Sequence, residues 1–198
     1  MEISIQHDEK TSNFSLIDSW NDITLDNYAR LIKYSELSGG QKSLHTIALC
    51  TDIPKHLIKR LDVVSLGNIL SIINKLQQED EGVFTNMFVH EGVKYGIIPD
   101  LSAISLGEYV DLESYVTRGV VDNLCDIAAV LFRPIVDSDG DTYTIEAYEP
   151  NSAKMRAKAF KTMSGEQVQN ALVFFWNLGS GLLNASGLSS EILTKEIQ

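Results

Sequence analysis

One short phrase recurs along this chain: an aliphatic residue, a Ser or Thr, then Leu, and an apolar or aromatic residue three positions on. It reads Ile23-Thr24-Leu25-Asp26-Asn27-Tyr28, Val64-Ser65-Leu66-Gly67-Asn68-Ile69 and Ile104-Ser105-Leu106-Gly107-Glu108-Tyr109. Met163-Ser164-Gly165-Glu166-Gln167-Val168 is a looser copy. Each copy predicts a helix entrance. The hydroxyl accepts a hydrogen bond from an unpaired first-turn N–H, and the flanking apolar residues pack as a staple. At Ser105/Glu108 and Ser164/Gln167 a reciprocal capping box is expected, because the Glu or Gln reaches back to the cap's own N–H. The phrase predicts several capped helices packed around a single core, and it specifies no reaction.

Apolar spacing extends this reading. Helices are predicted from Thr24 to about Leu37, from Gln41 to Cys50, from Pro54 to about Arg60, with Asp52 as its cap, and from Ser65 through Leu76. Further helices are expected over Ser105–Thr117, Asp122–Phe132, Ser152–Lys161 and Ser164–Asn184. Residues 86–98, turning at Glu91-Gly92, read as a β-hairpin. Ile135-Val136 and Tyr143-Thr144-Ile145, around the acidic turn Asp137–Asp141, read as a second hairpin or a mobile loop. Residues 1–19 are expected to form a loose arm with at most one short strand, 20–186 one mainly helical domain, and 187–198 a tail. The fold class is therefore mainly α with one or two small hairpins (α+β).

Composition narrows the function classes. Sixteen basic against 27 acidic side chains give a formal charge of −11. That surface disfavours direct binding to nucleic acid, which needs basic groups against phosphates. The longest apolar stretch, Ala171–Leu183, is shorter than the roughly 20 residues that span a bilayer, so no membrane association is expected. The N-terminus lacks the basic and apolar regions of a secretory signal, and Cys50 and Cys125 read as small buried hydrophobes in a cytosolic chain.

Motifs that carry chemistry are incomplete. Leu37-Ser38-Gly39-Gly40-Gln41 matches the signature sequence of ABC-transporter ATPases letter for letter, but the phosphate loop G-x-x-x-x-G-K-[S/T] on which that signature depends is missing from the sequence. The simpler reading is a Gly-Gly joint between helices. Asp137-Ser138-Asp139-Gly140-Asp141 suggests a calcium loop, yet Thr142 and Tyr148 stand where such a loop needs Gly and Glu. His7, His45, His56 and His90 show no metal-ligand spacing. No catalytic, cofactor or metal residue is assigned. A nucleotide-dependent protein using Ser38–Gln41, or a metal-regulated one using Asp137–Asp141, is the alternative reading.

The three consecutive aromatics Phe174-Phe175-Trp176 cannot share one helix face, since neighbours lie about 100° apart. Either that helix is buried all round or one face meets a partner. Together with Phe88, Val89, Tyr95 and Ile97 of the first hairpin, these residues are the expected partner interface.

The ordered set Trp20-x-x-Ile23-Thr24-Leu25-x-x-Tyr28, Tyr95-Gly96-Ile97-Ile98-Pro99-Asp100-Leu101, Ser105-Leu106-Gly107-Glu108-Tyr109, Phe132-Arg133-Pro134, Tyr143-Thr144-Ile145-Glu146-Ala147-Tyr148, Arg156 and Phe174-Phe175 resembles small acidic structural and assembly proteins of tailed bacteriophages. Some of that group are tail-assembly chaperones and others virion proteins. The resemblance implies a non-enzymatic role through protein–protein contacts. Other virion or tail proteins would be the partners, in a homo-oligomer or hetero-assembly, in the virion or the host cytoplasm.

Overall fold

The capping phrase forms as expected at Thr24 and Ser105. Thr24 Oγ1 accepts from Asn27 N at 3.2 Å and opens α1, Leu25–Ser35. Ser105 and Glu108 form the full capping box that opens α5, Leu106–Thr117. At the second copy the cap moves. Helix α4, Val63–Glu79, starts two residues before Ser65. Asp62 Oδ1 accepts from both Val64 N and Ser65 N at 2.9 Å. A carboxylate accepts two N–H bonds at once, so it takes the capping role from the hydroxyl.

This computed structural model describes residues 1–7, 10–79, 85–99, 104–140, 142–164 and 167. The helix expected from Ser164 lies mostly outside them, and Phe174, Phe175 and Trp176 lie wholly outside. Seven α-helices and six strands are present among the described residues. The α+β class fits, with more strand than the hairpin signals alone predict. The chain divides into two compact units where a single core is expected. One holds the described residues of Met1–Glu81 and Ser164–Glu166, the other those of Gly82–Met163 and Gln167–Gln198.

In the first unit the segment expected as a loose arm is an antiparallel hairpin. Strand β1, Glu2–His7, pairs with β2, Lys10–Ser15. Ile5 and Leu16 are buried with Ile23, Ile47, Ile58 and Ile73. The short polar alternation hid this, because only the inward face of the hairpin is apolar. Asp52, expected as a helix cap, holds the hairpin instead: Oδ1 accepts from Ser15 N at 2.7 Å and Asp52 N donates to Ser15 O. Helix α2, Gly39–Cys50, packs against α1, α4 and the short α3, Lys55–Ile58.

In the second unit the two predicted hairpins join. Strands β3 (Met87–His90), β4 (Val93–Ile97), β5 (Phe132–Asp139) and β6 (Thr142–Ile145) form one antiparallel sheet in that order. Helix α6, Leu124–Leu131, is almost entirely buried and runs straight into β5. The helix ends at Leu131, one residue before the expected Phe132, and Arg133-Pro134 lies inside β5, where extended backbone suits the residue before a proline. A bulge between Ile135 and Asp137 lets β5 pair with β6. Helix α7, Pro150–Phe160, packs on α6. Its Phe160 ring sits 5.0 Å from Tyr95 and 5.8 Å from Phe88, centroid to centroid.

Candidate protein-contact site

The first unit carries an open strand edge beside a groove. Met1 N donates to Leu16 O at 2.9 Å, and Leu16 N donates to Met1 O at 2.7 Å. Hydrogen-bonded and non-hydrogen-bonded pairs alternate in an antiparallel ladder. Counting on from Met1/Leu16, the residues Ile3, Ile5 and His7 exchange bonds with β2. Glu2, Ser4 and Gln6 aim their main-chain N–H and C=O away from it. Four consecutive β1 residues, Ile3 to Gln6, line a groove of about 620 Å³. Both faces of a strand border one cavity only when the cavity runs along the strand's edge. The far wall comes from α3 and α4 and the turn between them: Leu57, Leu61, Ile69 and Ile72 are apolar, Arg60 and Asp62 charged.

The expected interface residues of the second unit are divided by the pleat. Phe88, Tyr95 and Ile97 are buried, at 9%, 7% and 4% exposure. Phe88 packs on Tyr95 and Phe132, so these rings form core and not contact surface. Val89 points the other way and is 60% exposed. Its carbonyl, at the edge of β3, accepts from Gln167 Nε2 at 3.0 Å. That edge is thus partly covered within its own unit, whereas Ser4 and Gln6 show no such cover among the described residues.

The chemistry-bearing motifs are placed as follows. Ser38 precedes α2 without a side-chain capping bond, and Gly39 adopts φ +49° at an exposed joint. Asp137 and Asp139 are exposed on β5 next to Gly140, whose φ of +59° closes the β5–β6 turn; Asp141 lies outside the described residues. Among the described residues no three His, Cys, Asp or Glu side chains gather as a metal site. None of the described helices is long and apolar enough to cross a membrane.

A polar cluster missed by sequence reasoning sits inside the second unit. Arg133 Nη2 lies 2.6 Å from Glu108 Oε1. Arg156 Nε donates to Ala129 O at 3.0 Å and Nη1 to Glu146 Oε2 at 3.3 Å. Tyr148 Oη donates to Asp111 Oδ2. Burial pulls both guanidinium pKa values down while the facing carboxylates oppose that shift. Burial, and then Asp111, raise the Tyr148 phenol well above its ordinary range. The cluster ties α5, β5, α6 and α7 together. The only signal in the sequence was the strand residue Arg133 itself, a charge in an apolar run.

No family model, curated protein or solved structure matches this chain.

Proposed function

We propose that this chain is a non-enzymatic structural or assembly protein of a tailed bacteriophage that works through protein–protein contacts. The observation that carries the contact role is the edge of β1, which no described residue pairs with, and its apolar groove wall. A strand edge with free N–H and C=O groups templates a further strand, and natural proteins normally blunt such edges unless they are used. The phage assignment rests on the sequence resemblance. Isolated exposed apolar side chains such as Val63, Val89 and Leu106 supply further contact points, and the −11 charge suits basic protein partners. The partners are other virion or tail proteins, met in the virion or in the host cytoplasm.

Solution mass by size exclusion with light scattering, followed by mass spectrometry of purified particles, tests the reading. A discrete oligomer that is also found in particles supports a virion component. A monomer absent from particles but bound to a tail protein supports an assembly chaperone. A monomer with neither association overturns the proposal.

A further inference from the structure

We infer that an extended segment of a partner protein, apolar and basic at alternating positions, docks on the free edge of β1 as a third strand. The inference deepens the proposed contact role and rests on it. Three features point to this occupant. The first is hydrogen-bond parity: Ser4 and Gln6 present main-chain donors and acceptors to the groove they line, and an extended backbone pairs with such a row in register. The second is the pleat. On β1 and β2, Ile3, Ile5 and Phe14 turn inward, while Glu2, Ser4, Gln6, Thr11, Asn13 and Ser15 are exposed. An added strand continues both faces, so its inward side chains meet the apolar wall of Leu57, Leu61, Ile69 and Ile72 and its outward ones meet the polar face.

The third feature is charge. Glu2 carries its carboxylate exposed on the outward face of β1, on a chain whose formal charge is −11. Within the groove Arg60 and Asp62 offset one another. A cross-strand Lys or Arg opposite Glu2 is favoured, and an acidic residue there is disfavoured.

The test is amide hydrogen exchange by NMR on the whole chain, titrated with a short synthetic peptide alternating valine and lysine. Ser4 and Gln6 amides are expected to exchange quickly in the free protein and at least tenfold more slowly with the peptide. A peptide alternating valine and glutamate is expected to bind at least tenfold more weakly. Gln6→Pro removes one outward N–H and leaves the β1–β2 bonds in place, so it should weaken binding at least tenfold. If Gln6→Pro unfolds the hairpin, backbone N-methylation of the peptide makes the same test on the unaltered protein and should abolish binding. Binding that ignores N-methylation, equal binding of the acidic peptide, or no protection at Ser4 and Gln6 overturns the inference. Amides already protected in a dimer, and freed when it dissociates, would assign the edge to a second copy instead. The two readings fail separately. Protection at β1 in a protein absent from particles and from tail-protein complexes removes the phage reading alone. Incorporation in particles without protection at β1 removes this one alone.

Discussion

Glu108 is 4% exposed and Arg133 6% exposed, and their charged groups meet at 2.6 Å between α5 and β5. The same carboxylate closes the helix cap, with Oε2 accepting from Ser105 N at 2.6 Å. One side chain thus starts α5 and ties it to the sheet. Removing it strands a guanidinium in the interior, which costs far more than an exposed pair would. Glu108→Ala is expected to lower unfolding free energy by about 3–5 kcal/mol, measured by urea denaturation. Adding Arg133→Leu should recover part of that loss. A double variant as unstable as the sum of the singles would show that the two groups are not coupled.

Gly96 and Tyr143 make a second tight relationship. A Cβ built on Gly96 would lie 2.8 Å from Tyr143 Cδ2. The ring cannot swing away freely, because its Oη donates to Ile97 O at 2.9 Å. Strand glycines often mark such close approaches. Gly96→Ala should destabilise by about 1–3 kcal/mol through overpacking. In the Tyr143→Ala background the same change should cost much less. An equal cost in both backgrounds would rule out the ring as the cause.

Acid should act through Asp62. Hydrogen bonds from the Ser65 side chain and backbone, and from Val64 N, hold its carboxyl below the ordinary value of 3.8. A pKa lowered on folding contributes stability above the unfolded value, and that contribution is lost as pH falls through the folded value. The difference in melting temperature between wild type and Asp62→Asn should therefore shrink below about pH 4. A difference independent of pH would show that the charge plays no part. At neutral pH Asp62→Ala should lower the melting temperature more than Ser65→Ala, since Asp62 is the cap.

Thiol reactivity separates the two cysteines. Cys50 is 1% exposed, and burial pushes its thiol up to about 12. Cys125 is half-buried on α6. Because the thiolate is the reacting species, alkylation of native protein near pH 8 should modify Cys50 about tenfold or more slowly than Cys125. Denaturant should equalise the rates. Equal rates in the native protein would contradict the packing of α2.

The local elements were legible because their causes are local. Thr24, Ser105 and Glu108 cap helices through bonds spanning three residues, and Leu66, Ile69, Leu70 and Ile73 lie at helical spacing in α4. The turn at Glu91-Gly92 uses two left-handed residues, φ 48° and 78°, to close a hairpin. The candidate site was not legible in the same way. Residues 1–19 carry too few apolar side chains to reveal that Ile5 and Leu16 are core. The β1 edge gains its meaning from α3 and α4, more than fifty residues further along the chain.

The sequence by itself determined the helix entrances at Thr24 and Ser105, the hairpin turn at Glu91-Gly92, and that the chain is acidic, since capping, turn chemistry and charge depend on neighbours within a few residues. Only the tertiary structure decided that there are two units, that β4 pairs with β5, and that Phe88 and Tyr95 face inward while Val89 faces out. It also decided that Glu108 meets Arg133 and that the outward N–H groups of β1 border a groove. Those outcomes depend on which distant segments exclude water together. Burial and strand pairing are set by contacts between residues far apart in sequence.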